Sequence, residues 1–156
     1  MKKLILLLTI VNLVVFTNSQ AQEIDDALIN AIICVESGWD SQVVSEKGCV
    51  GLMQLSKGVI EEWLIELTGK KGWAWHTVNP LDPKVNIEIG RWYINRLKDH
   101  YLKDHYSLES LLASYNWGIS NVVKVNYGYK RFPHSIKRYI KNVLNIYYGR
   151  RNEHPH

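Results

Sequence analysis

The sequence predicts an all-α domain with little or no sheet, and three observations carry that prediction. From Glu23 onward apolar residues recur at steps of three and four, not two. Residues suited to starting and stopping helices stand at the ends of those periodic runs. No alternating run long enough to build a sheet lies between them. With 156 residues, 46% of them hydrophobic and 22% charged, the chain can bury one ordinary core and does not have the composition of a disordered segment.

The first residues are read apart from the rest. Met1-Lys2-Lys3 precedes an apolar run from Leu4 to Phe16 and then the small and polar residues Thr17-Asn18-Ser19-Gln20-Ala21. That is the pattern of a secretory leader cleaved after Ala21: the run is short for a spanning helix, and Ser19-Gln20-Ala21 fits the small-x-small rule. The expected organisation is a signal peptide over residues 1–21 and a single helical domain over 22–156. The mature chain would be exported to the periplasm or secreted, with no stable membrane insertion once the leader is gone. Without Lys2 and Lys3 the formal charge of +4 falls to +2. No block of five like charges occurs, so nucleic acid is not an expected partner.

In the mature chain, Ile24, Ala27, Leu28, Ala31, Ile32 and Val35 form the first helical stripe, and Gly38 is placed to end it. A second helix is expected from about Leu52 to Leu67, then a loop rich in Gly, Lys and Trp reaching Pro80. Asp82-Pro83 supplies an N-cap acid and a proline at the first helical position. Ile87, Gly90, Ile94, Leu97 and Tyr101 follow as one stripe, in which Gly90 points to close packing against a neighbouring helix. Ser107 caps the next helix, with apolar face Leu108, Leu111, Leu112 and Tyr115, and Gly118 stops it. Ser120 is expected to cap a short helix through Val123. Pro133 opens the last helix, which buries Ile136, Tyr139, Ile140, Val143, Leu144 and Tyr147.

Glu36 stands out chemically. It lies four and eight residues after Ile32 and Leu28, on the face that buries the first helix. Partial burial and the negative end of the helix dipole both raise a carboxyl pKa, and a carboxyl kept protonated is what a general acid requires. Position alone leaves a second reading, a helix-end acid turned out to solvent.

The neighbouring residues bear on that choice. Val35-Glu36-Ser37-Gly38-Trp39-Asp40 is followed by Gly48-Cys49-Val50-Gly51-Leu52-Met53-Gln54-Leu55. Asn79-Pro80 and Asp82-Pro83 then lead to Asn86-Ile87 and Gly90, followed by Ser114-Tyr115-Asn116-Trp117-Gly118 and Tyr139-Ile140-Lys141-Asn142-Val143-Leu144. These motifs in this order, across residues 24–148, resemble the soluble lytic transglycosylase family, relatives of goose-type lysozyme.

The resemblance implies a lysozyme-like helical domain that cleaves the bond between N-acetylmuramic acid and N-acetylglucosamine in peptidoglycan and leaves 1,6-anhydro ends, with no cofactor and no metal. Glu36 corresponds to the single catalytic acid and base. Ser37, Gly51, Met53 and Gln54 correspond to residues beside the scissile site and along the sugar sites. Tyr115 and Asn116 correspond to a pair in which the tyrosine orients the glutamate and the asparagine contacts sugar, and Tyr139 to a tyrosine that hydrogen-bonds the carboxyl. Asp40 reads as a turn former. Glycan strands are the expected partner of a monomer, with an envelope apparatus as a further candidate partner. A goose-type hydrolase and a non-catalytic wall-binding protein on the same fold are the alternatives.

The chain departs from the family at Ser135-Ile136, where Glu-Thr is usual, and in a longer, Trp-rich segment from Lys57 to Thr77. Trp73 and Trp75 there would either stack on sugar rings or pack the loop. Trp39, Trp63, Trp92 and Trp117 read as core. In an exported protein a Cys34–Cys49 bridge, closing a short loop at about 3 kcal/mol, is favoured over two free thiols. Cys34 lies on the side of the helix away from Glu36. The six histidines have no metal-ligand spacing.

Overall fold

A computed structural model describes residues 24–70 and 78–153. The leader and the Trp73–Trp75 segment lie outside them. Asp25 starts helix α1 (Asp26–Ser37) by accepting a hydrogen bond from Leu28 N at 2.8 Å. Gly38 ends it in the left-handed conformation (φ 59°), its N–H returned to Cys34 O. Four apolar residues of α1, Leu28, Ile29, Ile32 and Ile33, are at most 1% exposed.

The second helix differs from expectation. Helix α2 runs Lys57–Thr68 with Ser56 as N-cap, and Leu52–Leu55 is a tight turn instead of its first turn. Leu52, Met53 and Leu55 have the helical spacing that suggested otherwise, and all three are buried. The backbone forbids a helix there: Gly51 and Gln54 take φ of +74° and +48°, and Val50 exchanges both hydrogen bonds with Leu55 at 3.0 Å. Isolated pairings of Val50 with Val44 and with Leu55 are the only extended contacts among the described residues. From Lys57 on the expected helix is present, so only its first turn is lost.

Asp82 and Pro83 open α3 (Pro83–Arg96) as expected, with Asp82 Oδ1 accepting from Lys84 N and Val85 N. The stripe continues as a wide π-helical turn over Leu97–Leu102, which buries both end leucines. Ser107 and Ser110 form a reciprocal capping box at the start of α4 (Leu108–Trp117). Helix α5 (Ile119–Lys124) begins directly at Gly118, not at Ser120, which is exposed; Gly118 at φ 92° makes the corner between α4 and α5. The last helix, α6 (His134–Glu153), follows Pro133.

Helix α1 lies antiparallel along α6, α4 packs on both α5 and α6, and α2 packs on α3. Two tyrosines of α6 bond to the two ends of α1. Tyr147 Oη donates to Asp25 Oδ2 (3.2 Å), and Tyr139 Oη donates to Glu36 Oε1 (2.7 Å). On the far side, Arg96 of α3 bridges Glu62 (2.5 Å) and Glu66 (2.6 Å) of α2. These partly exposed pairs fix an orientation and add little stability. No helix among the described residues is long and apolar enough to cross a membrane.

Candidate active site

Glu36 sits where the last turn of α1 emerges from the core into a cleft of about 420 Å³. Burial raises its pKa, and hydrogen bonds from Tyr139 and Asn116 act the other way by favouring the anion. The outward-facing reading is excluded, because the carboxyl is held inward by a tyrosine from α6. Tyr139 is itself buried, and burial together with the nearby Glu36 charge holds its hydroxyl protonated well above its ordinary range. To the Glu36 carboxylate it therefore acts as a donor. Asp40 is exposed and accepts from Gln42 N at 2.8 Å, the turn role expected of it, and Glu46 is exposed as well. Among the described residues lining the cleft, Glu36 is the one carboxylate.

The facing wall is the turn Gly51–Leu55. Asn86 on α3, fully buried, organises it: Oδ1 accepts from Met53 N (2.7 Å), and Nδ2 donates to Val50 O (3.0 Å) and Pro80 O (2.8 Å). A side chain at Gly51 would put Cβ 2.3 Å from Asn86 Nδ2, so only glycine fits. Met53 turns its thioether away from the cleft onto Gly90, where a Cβ would lie 2.1 Å from the sulfur. The close approach expected of Gly90 is real, but its partner is this turn and not a neighbouring helix. Gln54 lines the cleft with its amide nitrogen donating to Val43 O and Gly51 O.

Several residues differ from their expected roles. Tyr115 does not bond to Glu36; its hydroxyl donates to Met53 O at 2.6 Å and fixes the turn, while Asn116 bonds to the carboxyl. The Ser37 hydroxyl is occupied at the helix end, donating to Ile33 O and accepting from Trp39 N, both at 3.2 Å. Cys34 and Cys49 are free thiols, not a bridge. Cys49 lines the cleft beside Glu36, whereas Cys34 is two residues from Glu36 and so on the opposite side of α1. Trp39 is 46% exposed and not core. Trp117 lines the cleft, while Trp63 and Trp92 are half-buried along the outer side of α2 and α3.

The sequence reading missed Asn86 as an organiser and Ser45, Lys47, Tyr93 and Trp117 as cleft residues. Asn86 carried a signal: a polar residue one turn before Gly90 on a buried stripe. Burial and the neighbouring Glu62 charge push the Tyr93 hydroxyl up to about 12, and its ring packs on Tyr115 at 5.9 Å.

An all-helical domain presenting a half-buried carboxyl of raised pKa to an open cleft defines the class: a helical domain built around a cleft with one acid at its wall. Residues 14–137 match the family described as Transglycosylase SLT domain, and the chain belongs to that family. It is 36% identical over 110 residues to membrane-bound lytic murein transglycosylase E of Buchnera aphidicola subsp. Baizongia pistaciae, covering 68% of this chain and 51% of that protein. To membrane-bound lytic murein transglycosylase C of Photorhabdus laumondii it is 31% identical over 106 residues, covering 65% and 29%. The chain thus spans about half, or less, of the length of these relatives. Its fold superposes on the 70 kDa soluble lytic transglycosylase of Escherichia coli with a TM-score of 0.66 at 26% identity, covering 88% of this chain and 23% of that one. An inactive variant of lytic transglycosylase Slt from Pseudomonas aeruginosa gives 0.63 at 23% identity, covering 83% and 22%.

Proposed function

We propose that this protein is a peptidoglycan lytic transglycosylase that cleaves the bond from N-acetylmuramic acid to N-acetylglucosamine. The observation that carries the reading is Glu36, the one carboxyl among the described residues lining the cleft, raised in pKa by burial and held by Tyr139. Protonated Glu36 gives its proton to the glycosidic oxygen as that bond breaks. The resulting carboxylate then takes the proton of the muramyl 6-hydroxyl, whose oxygen closes on the anomeric carbon. The atoms balance without water. A two-carboxylate glycosidase would need a second acid about 5 to 10 Å away across the bond, and Asp40 and Glu46 are exposed instead of lining the cleft. The 2-acetamido oxygen of the sugar supplies the stabilisation that a second carboxylate would give.

Ser37, Gly51, Met53, Gln54, Tyr115 and Asn116 support the site in this reading. Gly51, Met53 and Tyr115 act through the shape of the wall, and Gln54 and Asn116 through contact with sugar. The names of the relatives refer to murein, which supports export by the Met1–Ala21 leader to the periplasm or the outside; action as a monomer, with an envelope apparatus as a candidate partner, is part of the same proposal. Intact mass of the exported protein checks cleavage after Ala21. Mass spectrometry of digested cell wall tests the chemistry: anhydro ends are expected, and products heavier by one water would make the protein a hydrolase. Wall clearance by Glu36→Gln equal to that of the unaltered chain would make it a binding protein.

A further inference from the structure

Charge is divided unevenly along this chain. From Ile24 to Glu109 there are thirteen Asp and Glu against nine Lys and Arg; from Ser110 to Asn152 there are eight Lys and Arg and no acid at all. Several cations of the first part are compensated: Arg91 by Asp26, Arg96 by Glu62 and Glu66, Lys57 by Glu61 and Lys98 by Asp99. In the second part, Lys124, Lys130, Arg131, Lys137, Arg138 and Lys141 have no carboxylate partner among the described residues. All are exposed except Lys137, which is half-buried. Lys137 Nζ donates to Lys130 O (2.8 Å) and stands 5.7 Å from the Tyr129 ring, which orients the charge without neutralising it.

This basic stretch adjoins the cleft. Trp117 lines the cleft and meets Phe132 edge to face at 6.2 Å, and Phe132 meets Tyr129 at 5.8 Å. The turn Tyr129–Arg131 and the first turns of α6 therefore form a rim joined through edge-to-face rings to the cleft wall. Uncompensated like charges repel one another and lower the cost of holding an anion there. Long, mobile lysines and arginines suit carboxylates carried on flexible branches better than a fixed ligand.

We propose that this rim binds the acidic peptide branches of the glycan strand where the strand leaves the Trp117 end of the cleft. The proposal rests on peptidoglycan being the substrate, and it adds a charge-reading surface to a cleft that reads sugar. An anionic lipid surface is the competing occupant. Continuity of the rim with the cleft wall favours the substrate.

The test is co-sedimentation of the protein with purified sacculi in the Glu36→Gln background, so that binding is read without turnover. Replacing Lys130, Arg131, Arg138 and Lys141 together by Gln, all on the exposed rim, is expected to weaken co-sedimentation on the order of tenfold at low salt. At about 1 M salt, where the screening length is about 3 Å, the difference should close. It should also be absent on sacculi whose carboxyls have been converted to neutral amides with carbodiimide and ethanolamine. Lys130→Arg with Lys141→Arg should bind as tightly as the parent. Equal binding of the Gln variant to native sacculi overturns the proposal, as does an equal loss on amidated sacculi. A loss seen on phosphatidylglycerol vesicles but not on sacculi also overturns it, in favour of lipid. Turnover of sacculi by the unaltered protein is measured alongside: its absence defeats the transglycosylase reading, while the sedimentation result still decides the rim.

Discussion

The two walls of the cleft are built by different means. On one, α1 and α6 meet and the important bond runs between side chains, Tyr139 to Glu36. On the other, the Gly51–Leu55 turn presents mostly backbone, and its shape is imposed from behind by Asn86, Gly90 and Tyr115. The first wall carries a titrating group of raised pKa and the second carries a form. Substitutions on the first should therefore change rate with little loss of fold, and substitutions behind the second should change stability before they change chemistry.

The largest expected effect is on the first wall. Glu36→Gln should cut release of soluble wall fragments by about 10³-fold, the scale of losing a general acid. The same change should raise the unfolding midpoint at neutral pH. Glu36 titrates higher folded than unfolded, so the folded chain binds the proton more tightly, and the stability this group contributes falls as pH rises through the window between the two values. The amide escapes that loss, so its advantage should fade as the pH drops below the ordinary carboxyl range. A midpoint unchanged at every pH would mean that the carboxyl is not held at a burial cost.

Next in size is the second wall. Asn86→Ala strands Met53 N, Val50 O and Pro80 O, and should cost about 3 kcal/mol in chemical denaturation. Gly90→Ala drives a methyl into the Met53 thioether and should cost about 2 kcal/mol. Pairing it with Met53→Ala should recover part of that loss, and a cycle showing no coupling would mean that the contact does not shape the turn. The smallest effect returns to the first wall. Tyr139→Phe removes one bond to the anion and should lower activity about tenfold. It should also move the alkaline limb of the pH–rate profile upward, because Glu36 then holds its proton more tightly. A limb that stays in place would separate Tyr139 from the acid.

Legibility in the sequence follows the same division. Glu36 was visible because it is a polar group on an apolar helical stripe, a conflict that periodicity exposes, whereas periodicity made Tyr139 a core residue and only the family resemblance gave it the carboxyl as partner. Helix ends were visible wherever the cap is the residue itself, as with Gly38, Asp82 and Ser107. The turn at Leu52–Leu55 was not, since its apolar spacing mimics a helix and the asparagine that enforces it lies 33 residues further on. Tyr115 was placed on the right stripe and given the wrong partner, because a stripe fixes the direction of a side chain and not the atom it reaches. The disulfide failed for a similar reason: closeness in sequence and an oxidising compartment do not bring Cys34 round α1 to Cys49.

The paired tyrosines of α6 have a mechanical consequence. Two plates joined by one pin can still swivel; joined by two, they cannot. Tyr147 pins the start of α1 at Asp25 and Tyr139 pins its end at Glu36, eight residues apart on one helix and eleven on the other. Sliding α1 by a turn would break both pins at once, so the acid's position is gauged from the opposite end of its own helix, far from the cleft it faces.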